Sequence, residues 1–146
     1  MGRPVLPGRV HATGSVLLPC SPLSVREARV LVRGALDGSG LPADVVDDTV
    51  LVVSELVSNA LRHARPLPGG TIGLDWAPAA ERVEVRVTDG GGDALPAARR
   101  PVGSALGGRG LAMVDAVSSR WGVDVGASRV SVWAVLGEDA GRTAFH

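Results

Sequence analysis

Three short stretches carry residue types that could do chemistry together. Glu55, Asn59 and His63 recur at every fourth position, so on a helix they line one stripe. A carboxylate and an amide one turn apart can hold a hard cation and its water, because Mg²⁺ takes oxygen ligands, one or two from protein and the rest from phosphate and water. The Asn59 carbonyl suits that ligand role, and Glu55 can take a proton from a nucleophile. The ordinary alternative is a solvated helix face, widened by Ser54, Ser58 and Arg62. A helix-end histidine such as His63 more often serves as a cap or dipole partner, and it stays outside the catalytic set.

Asp89-Gly90-Gly91 closes an alternating run. An aspartate there can accept a hydrogen bond from an exocyclic amino group such as adenine N6, and Gly91 lets a flat ring approach the backbone. Asp-Gly is also a plain turn signal. Gly107-Gly108-Arg109-Gly110 opens a helix. Unpaired N–H groups at a helix start form an anion site, and Arg109 adds a permanent charge with a bidentate fork. Glycines also serve ordinary turns. The spacing is not the Gly-x-Gly-x-x-Gly that follows a parallel strand, so a Rossmann fingerprint is unsupported.

These stretches need elements to position them. Residues 1–20 read as a loose Pro- and Gly-rich arm with a short strand at Val16–Leu18. Leu23 to Leu36 is amphipathic and is expected to start from a Ser24 cap with Glu27 three residues on. A second helix runs from Ala43 to His63, free of Gly and Pro, and stops at Pro66-Leu67-Pro68-Gly69-Gly70. Thr71–Trp76 and Arg82–Thr88 alternate with period two, around a turn at Pro78–Glu81. A loop over about 93–106, carrying Arg99-Arg100, is long enough to be functional. A short helix follows from Leu111 to about Arg120, then strands at Trp121–Val125 and Arg129–Leu136, and a polar tail over 137–146. Strands come in adjacent pairs, which favours an α+β layer, helices on one face of a mostly antiparallel sheet.

Composition sets limits. The 146 residues are 45% hydrophobic and 21% charged with zero formal net charge, as for one globular domain. No overall basic footprint for nucleic acid or an anionic membrane exists. No apolar run is long enough for a membrane helix, and the N-terminus lacks a signal-type h-region, so a cytoplasmic location is expected. The one cysteine forms no internal disulfide and excludes a multi-cysteine zinc site. All 15 basic residues are arginine. A Walker-type loop and Schiff-base chemistry both need lysine and are closed.

The order of the three stretches, helix Glu-x-x-x-Asn, strand-end Asp-x-Gly, loop, then Gly-x-Gly before a helix, resembles that of the GHKL (Bergerat-fold) ATPases. Within that clan, Glu55-Leu56-Val57-Ser58-Asn59-Ala60-Leu61-Arg62-His63-Ala64 is similar to the N box of the anti-sigma-factor serine kinases of the RsbW and SpoIIAB type. Gly108-Arg109-Gly110-Leu111-Ala112-Met113-Val114-Asp115-Ala116, then Arg120-Trp121-Gly122, resembles the second glycine box and following helix of small actinobacterial members. Ser131-Val132-Trp133 is similar to their last strand. The resemblance covers roughly residues 21–136.

It implies an α+β Bergerat-fold two-layer sandwich on a mostly antiparallel mixed sheet. It further implies ATP and Mg²⁺ as ligands, Glu55 as general base and Asn59 as metal ligand. Asp89 would be the adenine acceptor with Ser131 beside it, and Gly91 would back the ring. Gly108, Arg109, Gly110 and Leu111 would form the phosphate side, under a lid at 93–106. The implied activity is phosphorylation of a STAS-domain anti-anti-sigma protein, with sequestration of a sigma factor and a homodimer as the default assembly. The alternative is a non-catalytic ATP-binding partner-switching regulator. Two departures stand out. Asp93 replaces the last glycine of Asp-x-Gly-x-Gly, and Val130-Ser131 replaces the Lys-Thr before the final Trp.

Overall fold

The computed structural model describes residues 13–92 and 109–137. Residues 1–12 of the arm expected over 1–20, the lid at 93–106, Gly108 and residues 138–146 of the expected tail lie outside the described residues. The elements run β1 (Gly14–Pro19), α1 (Leu23–Leu36), α2 (Ala43–His63), β2 (Thr71–Ala79), β3 (Arg82–Asp89), α3 (Arg109–Val117), β4 (Arg120–Val125) and β5 (Val130–Gly137). The strand expected at Val16–Leu18 extends over all of β1 and pairs with β2. The ordered fold therefore starts before residue 21.

α1 buries every fourth residue fully, Ser24, Ala28, Val32 and Leu36, with Val25, Leu31 and Ala35 packed half-buried at the core's edge. Ser24 is not its cap. The cap is Pro22 and the helix starts at Leu23, two residues before a Ser24 cap would start it, so Ser24 lies inside the first turn and on the inward stripe. Its hydroxyl donates to the Pro19 carbonyl (2.5 Å), while Ser21 Oγ accepts from the Leu23 N–H (3.2 Å). α2 has a wider apolar side, with Val46, Thr49, Val50, Val52, Val53, Leu56, Val57 and Ala60 buried. A helix that packs against α1, α3 and the sheet at once needs that width. Asp44 in its first turn and Arg62 and His63 in its last complement the helix dipole.

The strands form one five-stranded sheet in the order β1-β2-β3-β5-β4. Every pairing is antiparallel among the described residues. Alternation decides the faces. Ile72, Leu74 and Trp76 of β2, Val83, Val85 and Val87 of β3, and Ala134 and Leu136 of β5 join the helix residues in one core. On the other face Arg86 bonds Asp124 of β4 at 2.9 Å. The β2–β3 hairpin turns on Ala80 and Glu81, with Ala79 paired to Arg82. Ala80 takes φ 54°, the left-handed region that two-residue hairpin turns require.

Candidate functional site

The first two sequence stretches are brought together by backbone. Past the end of α2, the Arg65 N–H donates to the Gly91 carbonyl and the Gly90 N–H donates to the Arg65 carbonyl, both at 2.7 Å. This interlock holds the C-terminal end of α2 against the end of β3. It works only with glycine at position 90, where a Cβ would lie 2.3 Å from the Pro66 carbonyl oxygen. Gly91 sits at φ 84°, a conformation that glycine adopts without strain.

The third stretch opens α3, whose described residues begin at Arg109. α3 packs on α2, burying Leu111 and Val114 in the core. Val117 and Ser118, at the far end of α3, line a cavity with Pro42, Asp44 and Asp48 from the start of α2. The two helices therefore run in opposite directions, and α3 begins, at Arg109, toward the half of α2 that carries Glu55 and Asn59. Arg109 and Gly110 lie in the first turn of α3.

Asp89 is the most unusual charge in the site. It is 8% exposed at the end of a core-facing strand. Oδ1 accepts from the Gly91 N–H at 2.7 Å. No protein donor reaches Oδ2 among the described residues. Burial pushes the carboxyl up to about 6, against the smaller opposing pull of the Gly91 hydrogen bond. A carboxylate with one oxygen locked and the other open is a directional acceptor waiting for a donor.

Ser131 is not beside Asp89. Register pairs Ser131 with Thr88, and Asp89 with Val130. Paired residues share a face and successive residues alternate, so Ser131 and Asp89 point to opposite sides of the sheet. The Ser131 hydroxyl is spent on Thr88 Oγ1, 2.7 Å away and buried. The side chain that flanks Asp89 is Val130, whose Cγ2 would lie 3.7 Å from a Cβ placed on Gly91. The wall next to the acceptor is thus apolar, suited to a flat ring. The motif places Ser131 near Asp89, but only the long-range register of β3 on β5 shows that Val130 is the residue paired with it.

Glu55 and Asn59 lie on α2 half-buried, where its polar stripe borders the core. Their spacing keeps them on one face. Asn59 Oδ1 accepts from Arg62 Nη2 at 3.0 Å. Arg62 is a site neighbour that the sequence reading placed only on a solvated face, although its position one turn past Asn59 is the signal. The oxygen donor set, an amide and a carboxylate, suits Mg²⁺, which draws most ligands from phosphate and water. His63 is the exposed last residue of α2, the place expected for a dipole partner.

Comparison with known proteins gives a consistent result. The profile of the histidine kinase-like ATPase domain matches residues 18–135. The chain is 28% identical over 83 residues to the serine-protein kinase RsbW of Listeria monocytogenes, covering 56% of this chain and 53% of that protein. The RsbW of Listeria innocua matches at the same identity and coverage. The chain spans about half the length of these curated relatives. A crystal structure of the RsbU and RsbW domains of Rv1364c from Mycobacterium tuberculosis superposes with a TM-score of 0.66. It is 23% identical and covers 86% of this chain and 32% of that one, a likeness of fold.

Proposed function

Because the chain belongs to the histidine kinase-like ATPase domain family, we propose that it binds ATP with Mg²⁺ and transfers the γ-phosphate to a serine or threonine of a protein partner. The observation that carries this reading is Asp89. Its open Oδ2, desolvated beside Val130 and Gly91, matches the exocyclic amine and flat face of adenine. The triphosphate then extends toward the start of α3, where the N–H groups of Arg109, Gly110 and Leu111 have no partner in the preceding turn. Gly108 allows close approach there, and the Arg109 guanidinium adds charge.

Asn59 would hold Mg²⁺, with Glu55 one turn away, and the bound metal would neutralise charge on the phosphate oxygens. Glu55 orients the incoming hydroxyl and accepts its proton as the new O–P bond forms and the bond from the γ-phosphorus to the β–γ bridging oxygen breaks, with ADP as the leaving group. The relatives named serine-protein kinase RsbW support a protein serine as the acceptor; the acceptor in this reading is a STAS-domain anti-anti-sigma protein, with a sigma factor held in the alternative state. Partner switching of this kind suits a cytoplasmic regulator.

The test is calorimetry of Mg·ATP with the wild type and Asn59→Ala side by side, followed by labelled transfer onto candidate STAS proteins. Micromolar binding, about −8 kcal/mol, is expected for the wild type and not for the variant. Glu55→Ala should keep nucleotide binding and lose transfer by about 10²–10⁴-fold. Absence of binding by the wild type overturns the reading.

A further inference from the structure

Asn59 has one side-chain oxygen, and Arg62 already holds it at 3.0 Å. The two residues sit three apart on α2, so the contact is built into the helix rather than brought by a distant loop. A dication on the same oxygen would stand within a few ångströms of a guanidinium that never loses its charge. The oxygen has two lone pairs, but a dication and a guanidinium crowded on one small atom repel each other. Arg62 is exposed, so its side chain can swing into solvent without disturbing the core.

We infer that Arg62 is a latch on the metal site. It holds the Asn59 oxygen while no cation is bound and must release it before Mg²⁺ is taken up. The inference rests on reading Asn59 as the metal ligand. Arg62 acts here through Asn59 and is a positioning residue. Its effect is to weaken metal uptake and to keep the amide rotamer fixed in the metal-free state, so the site closes on Mg²⁺ only once nucleotide has raised the local negative charge.

The sequence supplies a direct probe, since Asn59 is the single asparagine in the chain. Selective ¹⁵N-asparagine labelling therefore gives one side-chain amide pair. The protein is saturated with ADP and titrated with Mg²⁺, following that pair by NMR, for the wild type, Arg62→Ala and Arg62→Met. The methionine variant keeps an unbranched stem and separates packing from charge. Both variants should shift the metal-free Asn59 amide signal and lower the Mg²⁺ midpoint about 3–10-fold, the span of one exposed hydrogen bond. An unchanged or raised midpoint, with the Asn59 signal still moving on Mg²⁺ addition, overturns the latch and leaves the site reading standing. A signal that ignores Mg²⁺ in all three proteins overturns the site reading and the latch with it.

Discussion

Asp89→Asn should make the protein more stable and worse at binding nucleotide. In the folded chain the carboxyl is held up to about 6 by burial, against an ordinary value of 3.8. Between those two values the native state keeps a proton that the unfolded state has lost, so stability falls as pH rises through the window and is flat above it. The full shift corresponds to about 3 kcal/mol, and to about 2 kcal/mol after allowing for screening by water at the open end of β3. Asparagine never ionises and keeps an oxygen for the Gly91 N–H. The variant should match the wild type near pH 3.5, where both side chains are neutral. It should pull ahead by about 2–3 kcal/mol above pH 6.5, a rise of roughly 5–10 °C in Tm for a domain of this size.

The same change removes an acceptor. Aspartate offers two oxygens, one for Gly91 and one for an amino group, whereas asparagine offers one. ATP affinity should drop about 10–100-fold. Urea denaturation from pH 3.5 to 7.5, paired with ATP calorimetry, measures both. Stability curves that stay parallel across pH 4–6.5 would refute the argument, because the offset would then owe nothing to ionisation.

Other consequences of the geometry are equally direct. Gly90→Ala puts a methyl 2.3 Å from the Pro66 carbonyl oxygen and should cost about 2–3 kcal/mol in chemical denaturation, by breaking the α2–β3 interlock. Ala80→Gly relieves a left-handed alanine at φ 54° and should add about 0.5–1 kcal/mol in the same assay. Thr88→Val strands the buried Ser131 hydroxyl and should cost about 1–3 kcal/mol; adding Ser131→Val should recover most of it. ATP affinity should be unchanged in that double variant, because the pair lies on the sheet face away from Asp89.

Much of this architecture was written in local periodicity. The unbroken run from Ala43 to His63 fixed α2, and the alternation of Val83, Val85 and Val87 fixed β3, because spacing of apolar residues by 3.6 or 2 depends on near neighbours alone. Glu55 and Asn59 share a face for the same reason. The order of the three motifs was also legible, and with it the family. What sequence could not settle was parity and burial. Whether Ser131 or Val130 stands beside Asp89 depends on the register of β3 on β5, a pairing of residues some forty positions apart, and a one-residue slip reverses every face. The cap of α1 is Pro22 rather than Ser24 because the stripe that packs on the core outweighs a local capping signal. Gly90 read as a turn residue, and only the Arg65–Pro66 backbone beside it makes it a lock. Asp89 was legible as a candidate acceptor at a strand end, but its burial was not. Its raised pKa comes from the water that helices and neighbouring strands exclude around it, and desolvation is a property of the packed fold rather than of any segment.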